Sequence, residues 1–100
     1  MEKGCFTALI TPFTQTGDLD KNGLEQLIAF QIHSQTTGIL VTGTTGESPT
    51  FKWQEHNHVI ALAADQAKGK CPVIAGTGSN NTREAMDAAG HAQKEGVDAI

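Results

Sequence analysis

Apolar positions along this chain take turns between two rhythms. Three short runs, Cys5-Phe6-Thr7-Ala8-Leu9-Ile10, Ile39-Leu40-Val41 and Pro72-Val73-Ile74-Ala75, are nearly unbroken. Runs of that kind predict strands buried on both faces, as in a parallel sheet. Thr11-Pro12 closes the first, since proline cannot donate to a ladder, and Thr14 to Gly17 read as a turn. Between the runs the spacing becomes helical. Leu24, Leu27, Ile28 and Ile32 put one apolar stripe on residues 21–35, with Asp20 as N-cap and Leu19 and Leu24 placed for a hydrophobic staple. Val59, Ile60, Ala63, Ala64 and Ala67 give residues 53–68 an inner face that Gly69 stops. Lys52 caps poorly, so Thr50 is expected to cap this second helix. Ala85, Met86, Ala89 and Ala92 predict the inner face of a third helix over 82–94, with Asn81 and Glu84 at capping-box spacing and Gly96 as its stop. Residues 97–100 begin a fourth strand.

Strand and helix thus alternate three times with no linker between them. Right-handed crossovers place all three helices on one side of the sheet. That predicts an α/β fold, the N-terminal part of a TIM (β/α)8 barrel, because a doubly wound sheet needs helices on both faces. A whole barrel takes about 250 residues, so the chain is expected to be a single partial barrel domain over 1–100, cut short at its C-terminal end.

Composition narrows the function classes. The formal charge of −4 and the scattered lysines and arginines form no basic patch, which argues against nucleic acid as a partner. No apolar run approaches the ~20 residues of a membrane span. The N-terminus lacks the apolar core of a signal peptide, which points to the cytoplasm. Cys5 and Cys71 both stand at strand starts and read as buried, reduced thiols rather than a disulfide or a nucleophile.

The chemistry concentrates in Gly43-Thr44-Thr45-Gly46-Glu47, directly after the second strand. The two glycines are expected to supply backbone angles that a side chain forbids and to let a ligand reach the main chain. Thr44 and Thr45 add two hydroxyls and consecutive N–H groups at the carboxyl end of a strand, where parallel α/β folds carry their chemistry. The residues alone leave two readings open, a structural turn and a ligand loop. Neither this loop nor Gly76-Thr77-Gly78 fits a nucleotide-binding pattern. His56 and His58 are two apart on a helix and face differently, so no zinc pair follows. Glu47 reads as a base or as a carboxylate orienting nearby N–H groups, Trp53 as core, and Asn80 and Glu84 as helix caps.

The segment Gly43-Thr44-Thr45-Gly46-Glu47-Ser48-Pro49-Thr50 resembles the dihydrodipicolinate synthase / N-acetylneuraminate lyase family of class I aldolases. Leu9-Ile10-Thr11-Pro12-Phe13 looks like that family's first strand and Pro72 through Asn80 like its third, nearer the synthase than the lyase branch. The resemblance implies a lyase of lysine and diaminopimelate biosynthesis that needs no cofactor. Pyruvate binds as a Schiff base on a barrel lysine, and the enamine attacks aspartate semialdehyde. By the same resemblance Thr45 and Thr44 bind substrate, and Thr44 is catalytic in a proton relay with two tyrosines. Ser48, Pro49, Trp53, His56, Asn80 and Glu84 correspond to an allosteric lysine-binding site. Trp53 replaces the histidine of many bacterial members. The implied assembly is a homotetramer, a dimer of dimers.

The chain has no tyrosine, and none of Lys3, Lys21, Lys52, Lys68, Lys70 and Lys94 is expected at the carboxyl end of a strand. The hundred residues alone are therefore expected to be catalytically silent. Neuraminate lyase or a keto-sugar-acid aldolase is the alternative within the family. A non-catalytic binding module for small carboxylates and a purely structural fragment are the alternatives outside it.

Overall fold

The computed structural model describes residues 1–100. β2 (Gly38–Val41) lies at the centre of a three-stranded sheet, with β1 (Phe6–Ala8) and β3 (Val73–Ala75) paired to it in parallel on either side. Ile39 stands opposite both Thr7 and Val73, and Val41 stands opposite Ala75. The first strand is shorter than residues 5–10 predict. Leu9 still donates to Leu40 O (2.9 Å), but Thr11 then turns inward and bonds elsewhere. A parallel bridge between Ile74 and Ala99 begins the fourth strand at the sheet's far edge.

Three helices, α1 (Lys21–His33), α2 (Trp53–Ala67) and α3 (Thr82–Glu95), alternate with the strands, and α2 packs between the other two. The core is their shared interior: Leu24 and Ile28 of α1, Val59, Ile60, Ala63 and Ala67 of α2, and Ile39, Val41, Val73 and Ala75 of the sheet. Each large aliphatic chain there adds about 1.5–3 kcal/mol at most. Alanines at 63 and 67 let α2 lie close to the strands. The strands are fully covered only on this helical face; Leu40 and Ile74, pointing the other way, are half-buried because no further layer lies over them.

The helix ends differ from expectation in instructive ways. Asp20 caps α1 through Oδ1 to the Gly23 amide (2.9 Å) as predicted, but the helix stops at His33 because Gln35 turns left-handed (φ 62°). Thr50 does not cap α2. Its hydroxyl donates to Glu47 O (2.8 Å), inside a single 3-10 turn at Ser48–Thr50. The start of α2 is held instead by the Glu55 carboxylate, which accepts from the Lys52 amide (3.3 Å). Asn81 caps α3 (Glu84 N to Asn81 Oδ1, 3.2 Å), yet the reciprocal bond runs through a third residue: Asn81 N donates to Ser79 Oγ, which donates to Glu84 (2.9 Å). The inner face of α3 is Ala88 and Ala92; Met86 is 69% exposed. Both cysteines are free, but Cys5 is exposed and Cys71 only partly buried.

Candidate functional site

The carboxyl ends of β2 and β3 carry a loop whose shape is set from three sides. Thr42, the residue after β2, is 2% exposed and takes a left-handed conformation (φ 55°), which is a marked outlier for a β-branched residue. It turns the chain out of the strand. Gly46 N and Ser48 N then both bond to Gly43 O (3.0 and 3.3 Å), and Glu47 N bonds to Thr44 O (3.0 Å), closing the loop on itself. Glu47 is left-handed too (φ 62°). From the first strand, the buried Thr11 hydroxyl donates to Gly46 O (2.7 Å). From the third, Gly76 N donates to Val41 O (2.9 Å).

The glycines therefore serve a different purpose from the one expected of them. Neither Gly43 nor Gly46 has a positive φ; the left-handed positions are Thr42 and Glu47. Glycine at 46 suits a close approach: a Cβ there would lie 3.1 Å from both Leu9 O and Thr11 Oγ1, tighter than ordinary contact. Glycine tolerates such angles more readily than any other residue, but nothing local in the sequence marks Thr42 for one.

Thr44 and Thr45 come out of this frame exposed, with hydroxyls and main-chain amides that donate to nothing within the chain. Two hydroxyls and two adjacent N–H groups in one exposed turn are the donor types that an anion-binding loop uses. The hydroxyls also donate and accept at once, as a relay needs. Glu47 turns its carboxylate to solvent and makes no hydrogen bond with it, while its carbonyl accepts from Thr50.

A second feature adjoins the loop. Ser48, Pro49, Trp53, Asn80 and Glu84 line one cleft of about 400 Å³, together with Phe51, Gly78 and Ser79. Five of the six positions read as a lysine site thus come together. His56 does not line the cleft. It is 1% exposed, lies edge-on beneath Trp53 with ring centroids 4.7 Å apart, and its Nε2 reaches Gly76 O at 2.8 Å. Helical spacing hints at this burial, since His56 lies one turn before Ile60. No three His, Cys, Asp or Glu side chains meet in a way that would hold a metal ion.

A sequence profile of the dihydrodipicolinate synthetase family matches residues 1–100, the whole chain. The chain belongs to the dihydrodipicolinate synthetase family. It is 50% identical over 98 residues to 4-hydroxy-tetrahydrodipicolinate synthase of Rhodopseudomonas palustris, covering 98% of this chain and 33% of that protein. Its fold superposes on dihydrodipicolinate synthase of Aquifex aeolicus with a TM-score of 0.94 at 47% identity, over 98% of this chain and 33% of the other. The chloride-inhibited synthase of Acinetobacter baumannii, solved with pyruvate, gives 0.92 at 39% identity, over 96% and 33%. The chain thus spans about a third of the length of the relatives it matches. Its three β/α units and opening fourth strand are those of the family's TIM barrel, which explains the half-covered face: in a barrel, side chains of the other strands fill the centre.

Proposed function

We propose that the protein containing this segment joins pyruvate to aspartate semialdehyde, in the biosynthesis of diaminopimelate and lysine. The observation that carries the reading is the exposed pair Thr44 and Thr45, hydroxyls and amides unengaged, at the carboxyl rim of the sheet. Pyruvate condenses with a lysine amine, releasing water; the protonated imine draws electrons from the methyl group, which loses a proton to give the enamine carbon that attacks the aldehyde. Thr45 holds the pyruvate carboxylate through its hydroxyl and N–H, and Thr44 passes a proton through its hydroxyl. The amine comes from outside these hundred residues, because none of the six lysines stands at the carboxyl end of a strand. The protein acts as a homotetramer in the cytoplasm.

In the full-length protein, Thr45→Val is expected to raise the KM for pyruvate by about 10- to 100-fold, while Thr45→Ser recovers most of it, since each lost charge-assisted hydrogen bond is worth ~1.5–3 kcal/mol. Steady-state kinetics in pyruvate decides this, and an unchanged KM in Thr45→Val would remove the assignment. The 100-residue chain incubated with pyruvate and borohydride is expected to show no pyruvyl adduct by mass spectrometry; a stable adduct would place the imine-forming lysine within it.

We also infer that the cleft of Ser48, Pro49, Trp53, Asn80 and Glu84, backed by His56, binds lysine as a regulator. Its chemistry supports the reading: Glu84 pairs with an ammonium, Asn80 accepts and donates, and the Trp53 indole lies against an alkyl chain. Calorimetry with lysine is expected to show binding that Glu84→Ala abolishes.

A further inference from the structure

Gly76 O is the meeting point of two side chains from different elements. His56 Nε2, on α2, lies 2.8 Å from it. Thr42 Oγ1, at the end of β2, lies 3.0 Å from it and 2.6 Å from Val41 O, so one hydroxyl proton is shared between two carbonyls. A carbonyl only accepts, so the His56 proton sits on Nε2 and the histidine is the full-time donor. The approach is tight on the backbone side as well: a Cβ on Gly76 would lie 2.4 Å from Thr42 O and 3.0 Å from Gly43 N. Gly76 thus lies hard against the residue whose left-handed turn aims the threonine loop, and its carbonyl is bonded to that residue's hydroxyl. That turn costs about 1–3 kcal/mol and persists only where its surroundings hold it.

We propose that His56 is a positioning residue for the threonine loop: its imidazole fixes the Gly76 carbonyl, and that carbonyl braces the turn at Thr42 from which Thr44 and Thr45 project. An ordinary buried histidine would be satisfied by any carbonyl in reach. Here the same oxygen carries a second donor from the strained residue itself, one position before Gly43-Thr44-Thr45. The imidazole touches no reacting atom. It acts through three links, His56 to Gly76, Gly76 to Thr42, and Thr42 to the loop.

The proposal rests on the keto-acid reading only for its kinetic arm; its structural arm stands alone. His56→Phe keeps the ring against Trp53 and deletes the donor, while His56→Gln keeps an amide donor of similar reach. In the full-length protein, exchange of the hydrogen-bonded loop amides of Gly46, Glu47 and Ser48 is expected to quicken about tenfold in His56→Phe and to return toward the wild-type rate in His56→Gln. The pyruvate KM is expected to rise about tenfold in His56→Phe with kcat changed less than threefold, again recovered by Gln. Wild-type exchange rates in His56→Phe, or a glutamine variant as fast as phenylalanine, would overturn the proposal. If His56→Phe does not fold, Thr42→Val removes the other donor to the same carbonyl: faster loop exchange there supports the brace, and an unchanged rate refutes it. If the wild-type protein turns over no pyruvate, the functional reading fails, and the exchange arm still decides the role of His56.

Discussion

Gly76 and Gly78 are two residues apart and look alike in sequence, yet their surroundings are opposite. A methyl at 76 would strike the Thr42 backbone at 2.4 Å, whereas a methyl at 78 meets nothing within 4 Å. Gly76→Ala is therefore expected to lower stability by about 1–3 kcal/mol, the range for overpacking against an unyielding neighbour, and Gly78→Ala by less than ~0.5 kcal/mol. Denaturant midpoints of the two variants check the contrast; equal midpoints would mean that the β2 and β3 ends are not wedged together. Thr11 is a third case. Its hydroxyl holds Gly46 O across 35 positions of sequence, so Thr11→Val is expected to cost about 1–3 kcal/mol by stranding a carbonyl. It should also loosen the loop more than a generic core change of the same size, which exchange of the Gly46 and Glu47 amides would reveal.

At the scale of the helix, capping decides where each element begins. Asn81→Ala removes the acceptor for Glu84 N and is expected to destabilise by about 1 kcal/mol. Thr50→Ala is expected to leave the start of α2 intact, since the Thr50 hydroxyl serves the preceding turn. Thermal melts of the two variants separate these cases. Element type and order were legible from the spacing of apolar residues, because strand and helix periods are local properties. Asp20 and Asn81 were legible as caps for the same reason. What escaped the sequence depends on distant partners. Met86 fits an apolar helical stripe as well as Ala88 does, and only the position of α2 decides which of them is covered. Ser79 enters the α3 cap because the β3 loop delivers it. In the candidate site, the motif singles out Thr44 and Thr45, whereas nothing local marks the strained Thr42, and the burial of His56 shows only in its helical spacing to Ile60.

Across the whole molecule, two consequences concern surfaces and protons. Met86, Ala89, Gly90, Gln93, Val97, Ala99 and Ile100 border a largely apolar groove beside the opening fourth strand, and Ile10 is exposed just past the end of β1. The hundred residues expressed alone are expected to associate, because an open parallel edge with apolar flanks is an adhesive surface. Sedimentation velocity checks this, and a clean monomer would contradict it. Burial, and then the Asp98 carboxylate, push the Cys71 thiol above its ordinary 9.0. The folded chain then holds that proton more tightly than the open chain does. The contribution is complete below about pH 9 and is lost as the pH climbs through the raised value. Cys71→Ser is expected to flatten the fall in stability over that alkaline range, read as guanidinium midpoints against pH. Finally, the left-handed residues Thr42 and Glu47 bracket the loop from outside, and its inner hydroxyls bear no structural duty. Side chains at 44 and 45 can therefore be exchanged for other small polar ones with the mount undisturbed, and on the proposed function such exchanges are expected to change which acid the full-length protein accepts.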